Sequence, residues 1–249
     1  GVFMLLFGIN FNLYYFLLLR HFREAFASEE MHVYLGIVAF STLTITANIA
    51  SMYDSVGTAL RTAFFQVSSI ITTTGFATCD FDLWPSLSKC VLVLLMLVGA
   101  CAGSTGGGIK ISRVLILIKR AGEELHKFIF PNSVTKIRLE KKILDREVVH
   151  TTSAFLIVYV FIFAISTLLV SAEGHDLETC FTAVAATFNN IGPGLSIVGP
   201  TRNFGFFSDF TKYVLIFDML AGRLELFPML ILFSPRTWLK NPPLFRKHS

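Results

Sequence analysis

The sequence predicts an all-α membrane protein built from pseudo-repeats, and three observations carry this prediction. Hydrophobic residues make up 53% of the 249 residues and charged residues only 15%, which is too apolar for an ordinary soluble domain. Two long segments of the chain match each other when one is slid along the other. The basic residues gather between the apolar runs, as they do in the cytoplasmic loops of membrane proteins.

The apolar runs give the helices in order along the chain. A membrane-spanning helix needs ~20 predominantly apolar residues. An opening run at residues 2–19 lacks a charged start and a cleavage site, so we interpret it as the last helix of a preceding repeat in a longer parent chain. The runs that approach or reach a full span are residues 33–53, 87–102, 151–171 and 213–233.

Basic residues orient these helices. Residues 110–147 are rich in Lys and Arg, and the tail after residue 233 carries several more, so the positive-inside rule places both in the cytoplasm. Acidic residues are interleaved with the basic ones in residues 110–147, and topology already accounts for the excess of positive charge. The expected partner is therefore a lipid bilayer, and no nucleic acid is expected.

An internal repeat explains a shorter apolar piece at residues 57–70, which is too short to cross. A shift that lays Gly75 on Gly192 superposes residues 57–75 on 174–192, and a slightly larger shift superposes 89–99 on 212–222. The short piece is therefore predicted to be a re-entrant pore half-helix. Each unit consists of helix, half-helix, filter strand and helix, as in a potassium-channel pore.

The stretch "TTTGF" at residues 72–76 follows the first half-helix with small polar residues. Irregular backbone at membrane depth is tolerated only where it is buried in protein or lines a water-filled cavity. An extended segment whose carbonyls point inward can replace the hydration shell of a cation, and glycine permits the backbone turn that this requires. These residues predict one wall of an ion filter.

A second glycine-rich stretch, "AGSTGGGIK" at residues 102–110, invites a phosphate-binding interpretation. The P-loop pattern places Lys directly after its second Gly, whereas here Ile109 intervenes, and no strand precedes the stretch. Glycines can also serve close helix packing in membranes. Three successive glycines, however, favour a break in the helix, because each costs about 1 kcal/mol relative to Ala. The break falls below the predicted filter and is a candidate gate.

The chain resembles a known family in its motifs "TTTGF", "GACAGSTGGGIK", "FNNIGPG" and "MLAGRLE". It is similar to the potassium-translocating membrane subunit of the bacterial Trk/Ktr (TrkH-like) family, and the similarity covers essentially all residues as the C-terminal half of such a subunit. The resemblance implies four pseudo-repeats around one pore, a homodimer, and a cytoplasmic nucleotide-binding regulatory subunit (TrkA-like). It also implies a multi-pass protein of the bacterial inner membrane that transports K⁺, with no organic cofactor in this chain.

The same resemblance assigns site residues. The filter residues that would bind potassium are Thr73, Thr74, Gly75, Asn190, Ile191 and Gly192. The gate residues are Gly103, Ser104, Thr105, Gly106, Gly107 and Gly108, together with Arg223.

The two walls share only their glycine, so we expect fewer well-formed sites and weaker discrimination than in a tetrameric channel. A cation channel or a sodium-permeable relative with the same architecture is the alternative function. Coupling to protons or sodium stays open. An enzyme is not expected, because the histidines fall at or beyond the span ends and no acid cluster lies within a span. The four cysteines lack a paired metal-ligand spacing and are expected to be buried thiols.

Two charged residues of the final span need an explanation. Arg223 lies deep in residues 213–233, where an isolated cation is costly and about 15 Å of apolar helix separates it from the cytoplasmic interface. We expect Arg223 to point into the pore and to bond the exposed carbonyls of residues 103–108, which would hold the gate closed. Asp218 could face the pore, pair with a basic group, or be a neutral acid.

The predicted organisation follows from these elements. Its segments are a last helix and connector at residues 1–31, a complete pore repeat with a broken second helix at 32–120, a cytoplasmic connector at 121–150, a second complete repeat at 151–235, and a cytoplasmic tail at 236–249.

Overall fold

Helices form almost all of the regular structure. The computed structural model describes residues 1–131, 137–140, 142–224 and 226–232, so the predicted tail at 236–249 lies outside the described residues. A short hairpin, with two residues in each strand, lies in the predicted connector, where β1 (Arg138–Leu139) pairs antiparallel with β2 (Lys142–Ile143). The α-helices are α1 (Val2–Phe7), α2 (Phe11–Leu18), α3 (Phe22–Ala25), α4 (Glu29–Ile49), α5 (Val56–Ile71), α6 (Ser86–Leu97), α7 (Ile111–Ile129), α8 (Arg146–Ser171), α9 (Leu177–Phe188), α10 (Asp209–Arg223) and α11 (Leu226–Leu232).

The internal repeat of the sequence is a repeat of packing. In the first copy α4, α5 and α6 pack against one another, and in the second copy α8, α9 and α10 do the same. The two triads meet where α6 contacts α9 and where α7 contacts α8. Buried apolar side chains fill each triad, with Ile45, Val67 and Leu92 in the first and Phe155, Val184 and Leu215 in the second. The half-helices therefore lie inside their repeats.

The helices begin earlier than the apolar runs because polar caps precede them. Ser28 accepts the N–H of Met31 at 3.4 Å, so α4 starts at Glu29 and not at residue 33. Ser55 caps α5 through the N–H of Thr58 at 3.2 Å. Ser208 caps α10 in the same way. Hydropathy alone misses these starts because a capping turn is polar.

Both half-helices end at equivalent positions, although they begin at different ones. The repeat shift that lays Gly75 on Gly192 also lays the last residue of α5, Ile71, on the last residue of α9, Phe188. Their first residues, Val56 and Leu177, are not equivalent under that shift. The end that meets the predicted filter is thus the part held constant between the copies.

A break follows the last helix of every copy, close to the glycine that the repeats share there. α1 and α2 are separated at Gly8, α6 and α7 are separated by residues 98–110, and α10 ends at Arg223 before α11. The sequence predicted only the middle break, so the apolar runs 2–19 and 213–233 are each two helices and not one. A hydrogen bond joins the two ends of the middle break, where Gly99 donates its N–H to the carbonyl of Ile109 at 2.8 Å.

Two of the described helices are long and apolar enough to cross a membrane. They are α4 with the short 3₁₀ turn that follows it, ending at Met52, and α8. The helices α6 and α9 are apolar but shorter. The prediction of buried thiols holds for Cys101 and Cys180 but is wrong for Cys90, which is exposed because it lies on the outward face of α6.

Candidate ion filter and gate

The two predicted filter segments adopt the same backbone from different residues. Thr73 and Asn190, which are equivalent in the repeat, have φ of 54° and 56°. Gly75 and Gly192, also equivalent, have φ of 77° and 115°. Dissimilar sequences therefore make the same two left-handed positions, which mark a turn that the fold requires in both repeats.

Hydrogen bonds at the helix ends explain this shared turn. The N–H of Thr74 donates to the carbonyl of Ser69 at 2.8 Å, and the equivalent N–H of Ile191 donates to the carbonyl of Ala186 at 2.8 Å. Such backward bonds satisfy the last carbonyls of a helix and end it in a left-handed residue. Each half-helix thus directs the negative end of its dipole toward the segment that follows.

The residues at the first left-handed position, Thr73 and Asn190, differ in how well they tolerate left-handed backbone. Asn adopts left-handed backbone readily because its short amide can hydrogen-bond locally, whereas a β-branched residue such as Thr is a strained outlier there. Thr73 is therefore held in an unfavourable conformation by its surroundings, and backbone strain of this kind concentrates at functional sites.

The two segments touch each other at their predicted coordinating residues. A Cβ on Gly75 would collide with the carbonyl oxygen of Ile191 and lie 3.3 Å from the Cδ of Pro193. Only glycine fits at this position, because no side chain can occupy the space already filled by the opposite backbone. Gly75 and Ile191, which the sequence placed in separate walls, are thus brought together.

Side chains behind each segment hold it in equivalent ways. Thr72 Oγ1 donates to the carbonyl of Ser68 at 2.6 Å, and the equivalent Asn189 Nδ2 donates to the carbonyl of Ala185 at 2.9 Å. Asn189 Oδ1 also accepts the hydroxyl of Tyr159 at 2.9 Å, which ties the second segment to α8. Both buried side chains fix the last helical turn before the predicted filter segment.

The glycine-rich segment lies directly against the two predicted filter segments. The N–H of Gly107 donates to Thr73 Oγ1 at 2.8 Å, and a Cβ on Gly107 would collide with the carbonyl oxygen of Asn189. A Cβ on Gly106 would come within 2.9 Å of Ala100 Cβ. The chain passes between the bases of the two filter segments, through a space that admits backbone and little else.

A cavity of about 430 Å³ lies on the other side of this glycine-rich segment. Its described lining includes three cationic residues, Lys110, Arg113 and Arg223, and no acidic one. The guanidinium of Arg113 lies 4.0 Å from the ring centroid of Phe155, a cation–π contact that fixes its position. All six predicted gate residues from 103 to 108 line the same cavity as Arg223. The structure thus brings the predicted gate residues together in a positively charged chamber.

Arg223 lines the cavity as expected but does not make the expected bonds. Among the residues that the structure describes, no hydrogen bond joins the exposed Arg223 to the glycine-rich segment. Lys110 Nζ instead donates to the carbonyl of Gly106. The expectation that Arg223 bonds these carbonyls is not met in the described part of the chain, where Lys110 bonds the carbonyl of Gly106. Glu225, next to this site, lies outside the described residues.

Asp218 lies away from the cavity. It is fully buried in α10, where Oδ1 accepts the hydroxyl of Ser166 on α8 at 2.7 Å. Its Oδ2 has no hydrogen-bond partner, and no basic residue pairs with it in the described part of the chain. An unpaired buried charge is costly. Of the three alternatives from the sequence, the neutral acid fits this position.

Three residues of the site escaped the sequence interpretation. Lys110 stood inside the quoted "GGGIK" and Asn189 inside "FNNIG", so both were visible but were treated as flanking residues. Tyr159 carried no signal, because an aromatic residue in an apolar run is typical of any membrane helix. Only the packing of α8 against α9 gives Tyr159 its place beside Asn189.

Comparison with known proteins places the chain in a family. Residues 2–240 match the family model TrkH, described as a cation transport protein. The chain is 37% identical over 243 residues to the Trk system potassium uptake protein TrkH of Salmonella typhimurium, and 32% identical over 242 residues to TrkG of Escherichia coli. These alignments cover 96% of this chain, but 50% and 49% of the relatives.

A solved structure agrees with the sequence comparisons. The crystal structure of the potassium transporter TrkH from Vibrio parahaemolyticus matches with a TM-score of 0.86 and 36% sequence identity, over 96% of this chain and 52% of that one. The chain therefore spans about half the length of the curated relatives that it matches. The predicted all-α, pore-like fold is confirmed by this likeness. The chain belongs to the TrkH family of cation transport proteins.

Proposed function

We propose that this chain is the C-terminal half of a potassium uptake protein and supplies two walls of its ion filter. The observation that carries the proposal is the meeting of two equivalent helix ends, where Gly75 lies against the carbonyl of Ile191. Backbone carbonyls in such a position can replace the water around a dehydrated cation. The proposed coordinating residues are Thr73, Thr74, Gly75, Asn190, Ile191 and Gly192.

Residues 103–108 act as the gate of this pore. Their position between the filter segments and a cavity lined by Lys110, Arg113 and Arg223 supports this role. A K⁺ leaving the filter meets both a backbone obstruction and a positive field, which is strong in a narrow space of low dielectric. Arg223 adds to the electrostatic barrier, and Lys110 holds the obstruction in place through Gly106.

The whole protein is a multi-pass homodimer of the bacterial cytoplasmic membrane with a nucleotide-binding regulatory subunit on its cytoplasmic side. Relatives at 37% identity are named Trk system potassium uptake proteins, which supports a shared system. The basic helix α7 and the hairpin that follows it form a connector on the side of the cavity and offer a surface for such a partner.

A cation channel or a sodium-permeable relative is the second candidate. The two walls differ at every coordinating residue except the glycine, which supports weaker discrimination between K⁺ and Na⁺. Coupling to H⁺ or to Na⁺ is tested in the flux measurement by imposing each gradient in turn.

Reconstitution of the full-length parent in liposomes tests these candidates. We expect K⁺ and Rb⁺ to enter faster than Na⁺, and the uptake to depend on the regulatory subunit. Equal entry of the three ions would favour the sodium-permeable alternative. Protein-dependent flux that is absent for every cation would overturn the transport function.

A further inference from the structure

A single carboxylate in the first turn of α4 binds both ends of the glycine-rich segment. Glu30 Oε1 accepts the N–H of Ala102 at 2.8 Å and the N–H of Ser112 at 2.9 Å. Ala102 stands directly before residues 103–108, and Ser112 lies in the first turn of α7. Glu30 is only 5% exposed, so water competes little for either bond. One buried oxygen therefore spans the break between α6 and α7.

The start of α7 depends on this contact. The first N–H groups of a helix have no partner within it and carry a partial positive charge. The residue at the cap position of α7 is Lys110, whose side chain makes no capping bond. Glu30 supplies the missing acceptor from another helix. It is not needed to cap α4, because Ser28 does that.

We propose that Glu30 is a positioning residue of the gate, which holds residues 103–108 beneath the filter by fixing both ends of the segment on one oxygen. This inference rests on the proposed function, in which that segment is the gate. Any movement of the segment that shifts Ala102 or Ser112 relative to α4 breaks at least one of the two bonds. Bonds from backbone N–H to a carboxylate are roughly twice as strong as neutral ones, so the pair favours the closed arrangement.

Other contacts keep the surrounding fold in place when Glu30 is changed. The N–H of Cys101 donates to the carbonyl of Gly8 at 3.0 Å, and the N–H of Phe11 donates to the carbonyl of Gly103 at 3.1 Å. These backbone bonds tie the start of the segment to the helices before α4 and do not involve Glu30. Variants at Glu30 should therefore loosen the segment without unfolding the repeat.

Three variants separate reach from charge. Glu30→Ala removes both bonds. Glu30→Gln keeps an acceptor at the same reach without the charge, and Glu30→Asp keeps the charge but is one methylene too short. The matched control is Glu29→Gln, which removes the neighbouring carboxylate. Glu29 pairs with Lys119 of α7 at 2.6 Å and does not contact the glycine-rich segment.

Cys101 gives a readout of the segment that does not depend on transport. Its thiol is fully buried beside Ala102, so it should react slowly with a water-soluble methanethiosulfonate while the segment is held. The experiment uses the full-length protein with its other cysteines replaced by serine. Both the reaction rate of Cys101 and the resting K⁺ flux in liposomes are measured for every variant.

We expect Glu30→Ala to raise the resting flux on the order of tenfold, because two hydrogen bonds to a charged group are lost. The reaction of Cys101 should speed up in parallel. Glu30→Gln should stay closer to the parent than Glu30→Asp, and Glu29→Gln should match the parent in both measurements. Such an order would indicate that the reach of the side chain to the two N–H groups contributes more than its charge.

Two other outcomes overturn different parts of the account. If Glu30→Ala and Glu30→Asp are folded and change neither Cys101 reactivity nor flux, while deletion of residues 106–108 does raise flux, the gate stands and the role of Glu30 is wrong. If Cys101 becomes reactive and resting flux stays at the parent level in every variant and in the deletion, the gating function itself is wrong.

Discussion

At the scale of single residues, the site depends on positions that admit only one backbone shape. Gly75 is both left-handed and pressed against the carbonyl of Ile191, whereas Gly192 is left-handed with no atom within 4 Å of where a Cβ would lie. The two equivalent glycines are therefore required for different reasons. The first is constrained by conformation and space, and the second by conformation alone.

This difference predicts unequal effects of alanine. Gly192→Ala should cost about 1–2 kcal/mol from left-handed strain and reduce K⁺ uptake in part. Gly75→Ala adds a collision with the opposite wall and should abolish selective uptake, as should the larger change to Asp at either position. The matched control is Gly36→Ala in α4, where nothing lies near the added Cβ and a helix gains from alanine. Flux of K⁺ against Na⁺ in liposomes measures the effect, and equal selectivity in all variants would contradict the filter assignment.

The hydroxyl of Thr73 predicts a second residue-level effect. Because it accepts the N–H of Gly107, Thr73→Ala should release the glycine-rich segment from the filter and raise resting K⁺ flux severalfold, by loss of about 1 kcal/mol. Thr73→Ser keeps the hydroxyl and should behave as the parent. If the serine and alanine variants leak equally, the strained backbone at residue 73 and not its hydroxyl bond controls the segment.

At the scale of elements, the candidate site is formed by the ends of helices. The half-helices α5 and α9 end at equivalent positions before the proposed filter segments, while their starts are capped independently, by Ser55 in one and Asp176 in the other. Asp176 accepts both the N–H of Thr179 at 3.0 Å and its hydroxyl at 2.6 Å. These bonds, the hydroxyl first, hold the pKa of Asp176 below its ordinary value.

Because the pKa of Asp176 is lowered in the folded protein, its contribution to stability decreases as the pH falls. Its contribution is fully present above the unfolded pKa of about 3.9 and is lost as the pH falls through the lower folded value. Asp176→Ala should therefore lower the apparent Tm at pH 7, for a loss of about 1 kcal/mol, and the difference from the parent should shrink below pH 4. The control Asp209→Asn removes a carboxylate that is 92% exposed and should change little. An effect of Asp176→Ala that is as large at pH 3 as at pH 7 would show that the ionised cap is not the cause.

The break between α6 and α7 carries the gating prediction at this scale. Deletion of residues 106–108 should raise basal K⁺ flux and weaken control by the regulatory subunit, because the obstruction beneath the proposed filter is shortened.

The cationic residues of the cavity give a separate prediction. Arg223→Ala should raise resting flux by removing one cation of the cavity, and Arg223→Lys should restore the barrier in part. Lys110→Met tests the bond that the structure adds, to Gly106. Equal flux before and after all four changes would leave the glycines as packing residues.

At the scale of the whole molecule, two packed triads of helices related by an internal repeat bring two filter segments into contact. The sequence predicted this plan because repeated apolar runs and a shared glycine survive in both copies. It also singled out Gly75 and Ile191, which lie against each other in the structure. It could not predict the bonds of Glu30, since these join elements distant in sequence and leave no period or motif. The bond from Lys110 to Gly106 is local, but it depends on the fold of the glycine-rich segment, which no sequence pattern specifies. The break after Arg223 escaped as well, because residues 213–233 form one long apolar run in which the charges near the break, Arg223 and Glu225, are isolated exceptions.

The central claim is that the backbone carbonyls of these two segments bind the transported ion. Crystals of the full-length protein soaked in Rb⁺, which replaces K⁺ and scatters anomalously, test this claim most directly. We predict an anomalous peak within coordination distance of the backbone oxygens of Thr74, Gly75, Ile191 and Gly192. An Rb⁺ peak elsewhere along the pore, with none at these carbonyls in protein that still transports Rb⁺, would contradict it.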